Sequence, residues 1–397
     1  MAKRTGGSIS RYITRAGLKR WRYQWFEGGK RLSRSFPTKK EAELFRAQTL
    51  VDTSNRGAGS THEPTSTFQE YSNEWLDSLS IEASTRQGYK KILRNHLLPE
   101  FGPLKLEDIT PQHISKHYER LATTGRKDSK GQGLGLGSNS IGKVHLVLKA
   151  ILTLALDEGL IFTNPAKNKR VVKAPTSKQI RAQLKEIETL SVQELEAFLE
   201  FNQAEEDDLN PMYRLIAYTG IRRGEAVAIQ WSDINFAKKT LSIRRAGDTA
   251  NLGSVKSTKT NRARNLELTD SLIQDLEKHR ANRELLGAEF VAKDAFVFGS
   301  VNNTLRRNND VGARFSRAVD RARKGVKHIT LPHFTLKTLR HSHATQLLAE
   351  GVNPKIVQER LGHSDITVTM NTYSHVTPTM QREAIEKLEN TRKAVNE

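Results

Sequence analysis

Cysteine is absent from the 397 residues. Its absence excludes disulfides, thiolate metal sites and a cysteine nucleophile. The opening decapeptide MAKRTGGSIS holds no apolar run, so no signal peptide is expected. The most apolar stretch, VHLVLKAILTLAL, is broken by Lys149 and reads as too short to span a bilayer. A soluble, cytoplasmic protein is therefore expected. Acidic residues are also scarce: 44 Asp and Glu face 64 Lys and Arg, a net charge of +20. A balance that basic favours a polyanionic partner. No basic amphipathic helix offers a membrane anchor, so nucleic acid is the expected partner and a membrane is not.

The charge is unevenly spread. The first 50 residues hold thirteen Lys and Arg against three Glu, half of the whole net charge. Within them, KRWRYQWFEGGKRLSRSF alternates: Trp21, Tyr23 and Trp25 point one way, Arg20, Arg22 and Gln24 the other. EGGK is a turn signal, so a β-hairpin is predicted. The following TKKEAELFRAQTL reads as a helix, with Thr38 and Glu41 spaced as a capping box. We expect aromatics packed inward and basic residues outward, on a β-ribbon small enough to enter a major groove. Arg20, Arg22, Lys30, Arg31 and Arg34 are its candidate DNA contacts.

After a linker at 54–66, Phe68, Tyr71, Trp75 and Leu79 keep a helical stripe. STRQGYKKILRNHLLP predicts a second helix ending near Pro99. Thr110 and Pro111 predict the N-cap and first turn of a third. SIGKVHLVLKAILTLALDEG predicts a fourth, largely buried. Lys90, Lys91 and Lys143 are exposed candidates for DNA contact on this all-α block. A second, basic linker, 164–180, precedes a third domain that opens at a capping box of Ser191 and Glu194. That domain is mostly helical, with two strand-like runs, TLSIRR and RNLELT. The expected fold is thus mainly α with small β parts. It comprises an N-terminal three-stranded sheet plus helix (1–55), an all-α domain (65–165) and a mixed, mostly helical domain (180–397). No internal repeat is visible.

Four segments of the chain could carry chemistry: TGIRRGEAVAIQWSDI with Arg222 and Glu225, VKSTKTNRARNLEL with its lysines, LKTLRHSHATQLL with Arg340, and LGHSDITVTMNTYSH with Tyr373. Each has a plainer reading. Arginines beside glycine usually sit in solvent or pair with an acid. Turn lysines are usually only solubilising. Ile366, Met370 and Tyr373 fall on one helical face, so the tyrosine could simply end an apolar stripe. His341, His343, His363 and His375 lie within 35 residues, but His-x-His does not share a helix face and no carboxylate stands as a third ligand, so no metal is expected.

Taken together, the four segments resemble the tyrosine recombinase (phage integrase) family in order and spacing. The helical block looks like that family's core-site-binding domain. The hairpin and helix look like the arm-site-binding domain of integrases from temperate phages and conjugative transposons. The resemblance implies catalytic roles for Arg222, Lys259 (with Lys256 as the alternative), Arg340, His363 and Tyr373. Lys337 stands where the family usually has a histidine, three residues before the second arginine, and is the sixth implied catalytic residue, adding charge or donating to an oxygen where an imidazole would exchange a proton.

What the resemblance implies is a site-specific recombinase that needs neither metal nor nucleotide. Tyr373 would attack a DNA phosphodiester and become joined to the 3′ phosphate. Two guanidiniums suit this chemistry, because phosphoryl transfer builds negative charge that fixed cations stabilise. A phenol with a pKa near 10 would be activated by neighbouring cations. Lys259 would protonate the leaving 5′ oxygen, and His363 would hydrogen-bond the phosphate. Glu225 reads as holding an arginine in place. The implied partners are double-stranded DNA at core and arm attachment sites, a homotetramer on two duplexes, and an excisionase or DNA-bending host factor. The implied location is a bacterial host's cytoplasm, at the nucleoid. Two other readings stay open: a catalytically decayed DNA-binding regulator on the same scaffold, and a metal-dependent nuclease.

Overall fold

The computed structural model describes residues 8–13, 19–27, 30–55, 66–127, 133–183, 188–248, 251, 253–257 and 263–373, with four helical positions further on. The chain divides into two compact units, Met1–Ser80 with Tyr89–Gln179, and Ile81–Gly88 with Ile180–Glu397.

In the first unit, β1 (Ser8–Ile13), β2 (Lys19–Glu27) and β3 (Lys30–Phe36) form the expected antiparallel three-stranded sheet, in that order. The helix α1 (Lys39–Asn55) follows, its start fixed by Thr38 Oγ1 accepting the Glu41 amide at 3.2 Å. Tyr23 is buried, stacks on Trp25 with ring centroids 5.0 Å apart, and meets Phe45 of α1. The aromatics therefore face the helix. Arg22 lies on the opposite face, its guanidinium 4.2 Å from the centroid of Tyr12. Arg34 departs from the outward arrangement expected of the basic residues. The register sets it opposite Tyr23, so it shares the aromatic face and stacks 4.7 Å from the Phe45 centroid.

The helical part of this unit begins with α2 (Phe68–Ser78), capped by Thr67 and Glu70, with Phe68, Tyr71 and Trp75 buried on one face. The next helix ends about where the sequence places it: α3 (Ala83–Ile92) passes through a π-helical turn, Leu93–Leu97, into α4 (Leu98–Phe101), which stops two residues past Pro99. Pro99 is tolerated because it falls in the first turn after that irregularity, where its missing N–H has no partner to satisfy. α5 (Pro111–Thr124) starts at Thr110, which accepts the His113 amide at 3.2 Å.

α6 (Ser138–Asp157) departs from the expectation that its apolar stretch is too short to span a bilayer. At 20 residues it is the one described helix long and apolar enough, by length and composition, to cross a membrane. Its buried face, including Val144, Leu148, Ile151 and Leu152, is spent on the core it shares with Phe68, Trp75, Leu97 and Phe101. Lys149 points outward.

The short α7 (Ser177–Ala182) lies where the chain passes between units. In the second unit, α8 (Val192–Ala204) begins at a capping box: Ser191 Oγ accepts the Glu194 amide, and Glu194 accepts the Ser191 amide at 2.8 Å. α9 (Asn210–Thr219) and the short α10 (Arg223–Val227) follow. β4 (Ile234–Asn235), β5 (Thr240–Ile243) and, after an inserted hairpin of β6 (Arg245–Gly247) and β7 (Val255–Ser257), β8 (Arg264–Glu267) make two small antiparallel sheets. The remaining elements are α11 (Asp270–Glu284), α12 (Asn308–Gly325), α13 (Leu336–Ala349), α14 (Pro354–Leu361) and α15 (Ile366–Tyr373).

Phe198, Tyr213, Phe315 and Phe334 are fully buried and interlock edge to face, with Tyr213 and Phe315 4.9 Å apart and Phe198 and Phe334 5.0 Å apart. Aromatic pairs of this geometry add to the gain from burial alone. This cluster fixes α8, α9 and α12 against the start of α13. It thereby sets the frame from which two arginines project.

Candidate active site

α9 ends at Gly220, whose φ of 68° is left-handed. A side chain there would be strained, and its Cβ would also lie 2.6 Å from Leu361 and 2.8 Å from His343. The turn frees the Gly220 carbonyl, which accepts Arg340 Nη1 at 2.5 Å. α14 ends in the same way, at Gly362 with φ 67°. A Cβ there would meet the Arg264 guanidinium at 2.8 Å.

Three successive carbonyls at this helix end each hold a different guanidinium. Arg360 O accepts Arg264 Nε at 3.0 Å, Leu361 O accepts Arg340 Nη2 at 2.9 Å, and Gly362 O accepts Arg222 Nη2 at 2.7 Å. The unpaired carbonyls and the negative end of the helix dipole both favour cations here.

Arg222 is the N-cap residue of α10. Its amide and its Nη1 both donate to the buried Glu225, each at 2.9 Å. Arg340, on α13, is buried. Lys337 is one turn before it. Arg222, Lys337, Arg340 and His363 all line one cavity of about 970 Å³, together with Arg223, His333 and His341. Segments separated by more than a hundred residues thus bring four of the six expected catalytic side chains together, and four cationic side chains face the same space.

His363 packs against α15, its Nδ1 2.8 Å from the hydroxyl of buried Thr369. Burial, then the nearby Arg340 and Arg222, depress its pKa to about 4, so it is neutral at pH 7. His341 is likewise lowered to about 4, by burial and then by Lys337 and Arg340. His343 has a different place. It accepts Arg360 Nε at 3.1 Å, and burial with the adjoining arginines lowers its pKa to about 3. Glu225 is held ionised: burial opposes its charge, but the hydrogen bonds and charges of Arg264 and Arg222 outweigh that and lower its pKa.

The remaining expected residues lie elsewhere. Tyr373 is the last residue of α15, one turn beyond Thr369, and its side chain lies outside the described residues. Lys259 also lies outside them. Lys256, on β7, donates to Glu82 at 2.8 Å and does not line the cavity. Lys90, Lys91, Lys143 and Arg34 are exposed, Arg20 and Arg22 half-buried; the side chains of Lys30 and Arg31 are outside the described residues, as is His375. Among the described residues no group of three His, Asp or Glu side chains is placed to hold a metal.

Sequence reasoning missed Arg223 as a cavity residue, although it adjoins Arg222. It also missed Arg264, which nothing local distinguishes from the other arginines of NRARN.

The chain matches the phage integrase family over residues 188–380 and the phage integrase N-terminal SAM-like domain over residues 67–122. A tyrosine recombinase XerC-like protein of Caldanaerobacter subterraneus subsp. tengcongensis is 28% identical over 381 residues, covering 91% of this chain and 93% of the relative. The ICEBs1 integrase of Bacillus subtilis is 25% identical over 322 residues, covering 79% and 80%. Two solved structures share the fold. The Tn1549 transposon integrase in complex with a circular intermediate DNA has a TM-score of 0.65 at 21% identity, covering 80% of this chain and 98% of that one. The lambda integrase tetramer bound to a Holliday junction has a TM-score of 0.56 at 19% identity, covering 90% and 96%.

Proposed function

The chain belongs to the phage integrase family of tyrosine recombinases, and we propose that its strand chemistry takes place in the Arg222–Arg340 cavity with Tyr373 as nucleophile. It is a site-specific DNA recombinase of integrase type, and DNA is its substrate.

In the proposed reaction, Tyr373 gives up its phenolic proton to solvent, Oη attacks the scissile phosphorus and the phosphorus–5′ oxygen bond breaks. The 5′ oxygen leaves with a proton from Lys259, and the 3′ phosphate remains on tyrosine. Attack by a 5′ hydroxyl of another strand reverses the step and expels tyrosine, so no nucleotide is consumed. Arg222 and Arg340 hold the non-bridging oxygens. Their tethering to backbone carbonyls fixes them before the negative charge develops, which is where such cations act most strongly. Neutral His363 hydrogen-bonds the phosphate, and Lys337 adds a charge where an imidazole would exchange a proton.

One observation carries this reading: the convergence of Arg222, Lys337, Arg340 and His363 on a single cavity, with α15 anchored beside them through His363 and Thr369. The assembly we propose is a homotetramer on two duplexes, working through a four-way junction in the bacterial cytoplasm. The sheet with α1 would grip arm sites, and the α2–α6 block core sites. An excisionase or a DNA-bending host protein would set the direction.

The test is adduct trapping on a nicked core site. The wild-type chain is expected to give a denaturant-resistant protein–DNA complex whose modified residue maps to Tyr373. Tyr373→Phe is expected to bind DNA without forming it. An adduct from that variant would refute the assignment.

A further inference from the structure

We propose that Arg264 is a positioning residue that cancels the charge of Glu225, so that Glu225 can orient Arg222 without neutralising it. The proposal rests on the reading of Arg222 as a phosphate-binding residue.

The difficulty it addresses is electrostatic. Arg222 is anchored by a carboxylate, with its amide and Nη1 both on Glu225 at 2.9 Å. A carboxylate in direct contact is the strongest competitor for a guanidinium's charge, and the Glu225 side chain is only 3% exposed, so little water screens it. Alone, this pair would add no net charge to the cavity, so Arg222 would contribute nothing to its positive potential.

Arg264 changes that sum. It grips the same carboxylate in a fork, Nη2 to Oε2 at 2.7 Å and Nη1 to Oε1 at 3.1 Å, while its Nε is tied to Arg360 O. Its side chain is 12% exposed and, unlike Arg222, it does not line the cavity. It therefore cannot touch DNA held there. The triad Arg222, Glu225 and Arg264 carries a net charge of +1, and the only member reaching the cavity is Arg222. The carboxylate accepts four hydrogen bonds, two from each arginine, which satisfies its oxygens fully. A bidentate fork of this kind is specific to arginine.

A purely structural ion pair and a charge-cancelling one predict different double mutants. Arg264→Gln leaves Glu225 to quench Arg222. Under saturating protein, its first-order rate of adduct formation is expected to fall at least about tenfold, less than the roughly 10²-fold or greater loss when a stabilising donor is removed outright. Core-site affinity should change by no more than about twofold, because one contact among many phosphates is altered. Glu225→Gln added to Arg264→Gln returns the triad to +1. The double variant is expected to cleave at least about fivefold faster than Arg264→Gln alone. Arg264→Lys, which keeps the charge and loses the fork, should fall between Arg264→Gln and wild type, and serves if Arg264→Gln does not fold. A double variant no faster than Arg264→Gln, or a lysine variant as slow as glutamine, overturns the proposal. Arg222→Ala is run beside them. Wild-type adduct formation from that variant would overturn the reading of the site itself. Loss there, without rescue in the double variant, would overturn only the role of Arg264.

Discussion

Arg340 and Arg222 hang from consecutive carbonyls at the end of α14. Arg340 Nη2 bonds to Leu361 O at 2.9 Å, and Arg222 Nη2 bonds to Gly362 O at 2.7 Å. The residues are 118 apart in the chain, yet one helix terminus sets the distance between their guanidiniums. The geometry of phosphate binding is therefore governed by the backbone of α14 as much as by the arginines.

Gly362→Ala should disturb that geometry. Its φ of 67° disfavours a side chain, and the new Cβ would stand 2.8 Å from the Arg264 guanidinium. We expect a loss of about 1–2 kcal/mol in stability and a fall in adduct formation of roughly tenfold or more. Thermal denaturation and the nicked-substrate assay check the two separately. Unchanged cleavage would show that the cations do not depend on this turn.

Arg340→Lys keeps the charge but cannot bridge the Gly220 and Leu361 carbonyls at once. At least one buried acceptor would lose its donor, at about 1–3 kcal/mol if no other partner is found. Adduct formation is expected to fall roughly 10²-fold. A lysine variant as fast as wild type would mean that charge alone suffices at this position.

Folding stability should drop in mild acid. His117, His341 and His363 have folded pKa values of about 4 and His343 about 3, all chiefly because burial disfavours the charged ring. Once unfolded, each returns to the ordinary value near 6.5. The unfolded chain therefore binds more protons between these limits. The stabilisation is fully present above about pH 6.5 and is lost as the pH falls towards 4. The melting temperature should decline steadily from pH 7 to pH 4.5 at constant ionic strength. A flat profile would contradict the neutral state of these rings.

Deleting residues 1–60 removes the sheet and α1 but none of the cavity residues. Cleavage of a short core site should survive, and recombination that needs flanking arm sites should be lost. Binding of the full chain should weaken more steeply with salt than binding of the truncated one, because fewer phosphates are then neutralised. Equal salt slopes would remove the N-terminal domain from the DNA interface.

Much of this architecture was legible because its signals are local. The Phe68, Tyr71 and Trp75 stripe and the caps at Thr110 and Ser191 each act within a few residues of themselves. What escaped reading depends on the partner strand or helix. Arg34 changes face because the pairing of β2 with β3 sets it opposite Tyr23. The π turn at Leu93–Leu97, just before Pro99, leaves no mark in the helical periodicity. The β6–β7 hairpin is built from three-residue strands too short to alternate. Arg264 acquires its place only when β8 meets the end of α14, nearly a hundred residues later.

The last turn of α14 also links assembly of the site to its local breathing. The same turn that presents the three carbonyls closes with the Gly362 amide on Glu359 O and the His363 amide on Gln358 O, at 3.0 and 3.1 Å. If that turn frays, three guanidiniums each lose one anchor in a single event, so Arg222 and Arg340 loosen together although Glu225 and the Gly220 carbonyl still hold them. The deuterium uptake of two amides, at residues 362 and 363, is then a direct gauge of how often the protein stands ready, before any DNA arrives.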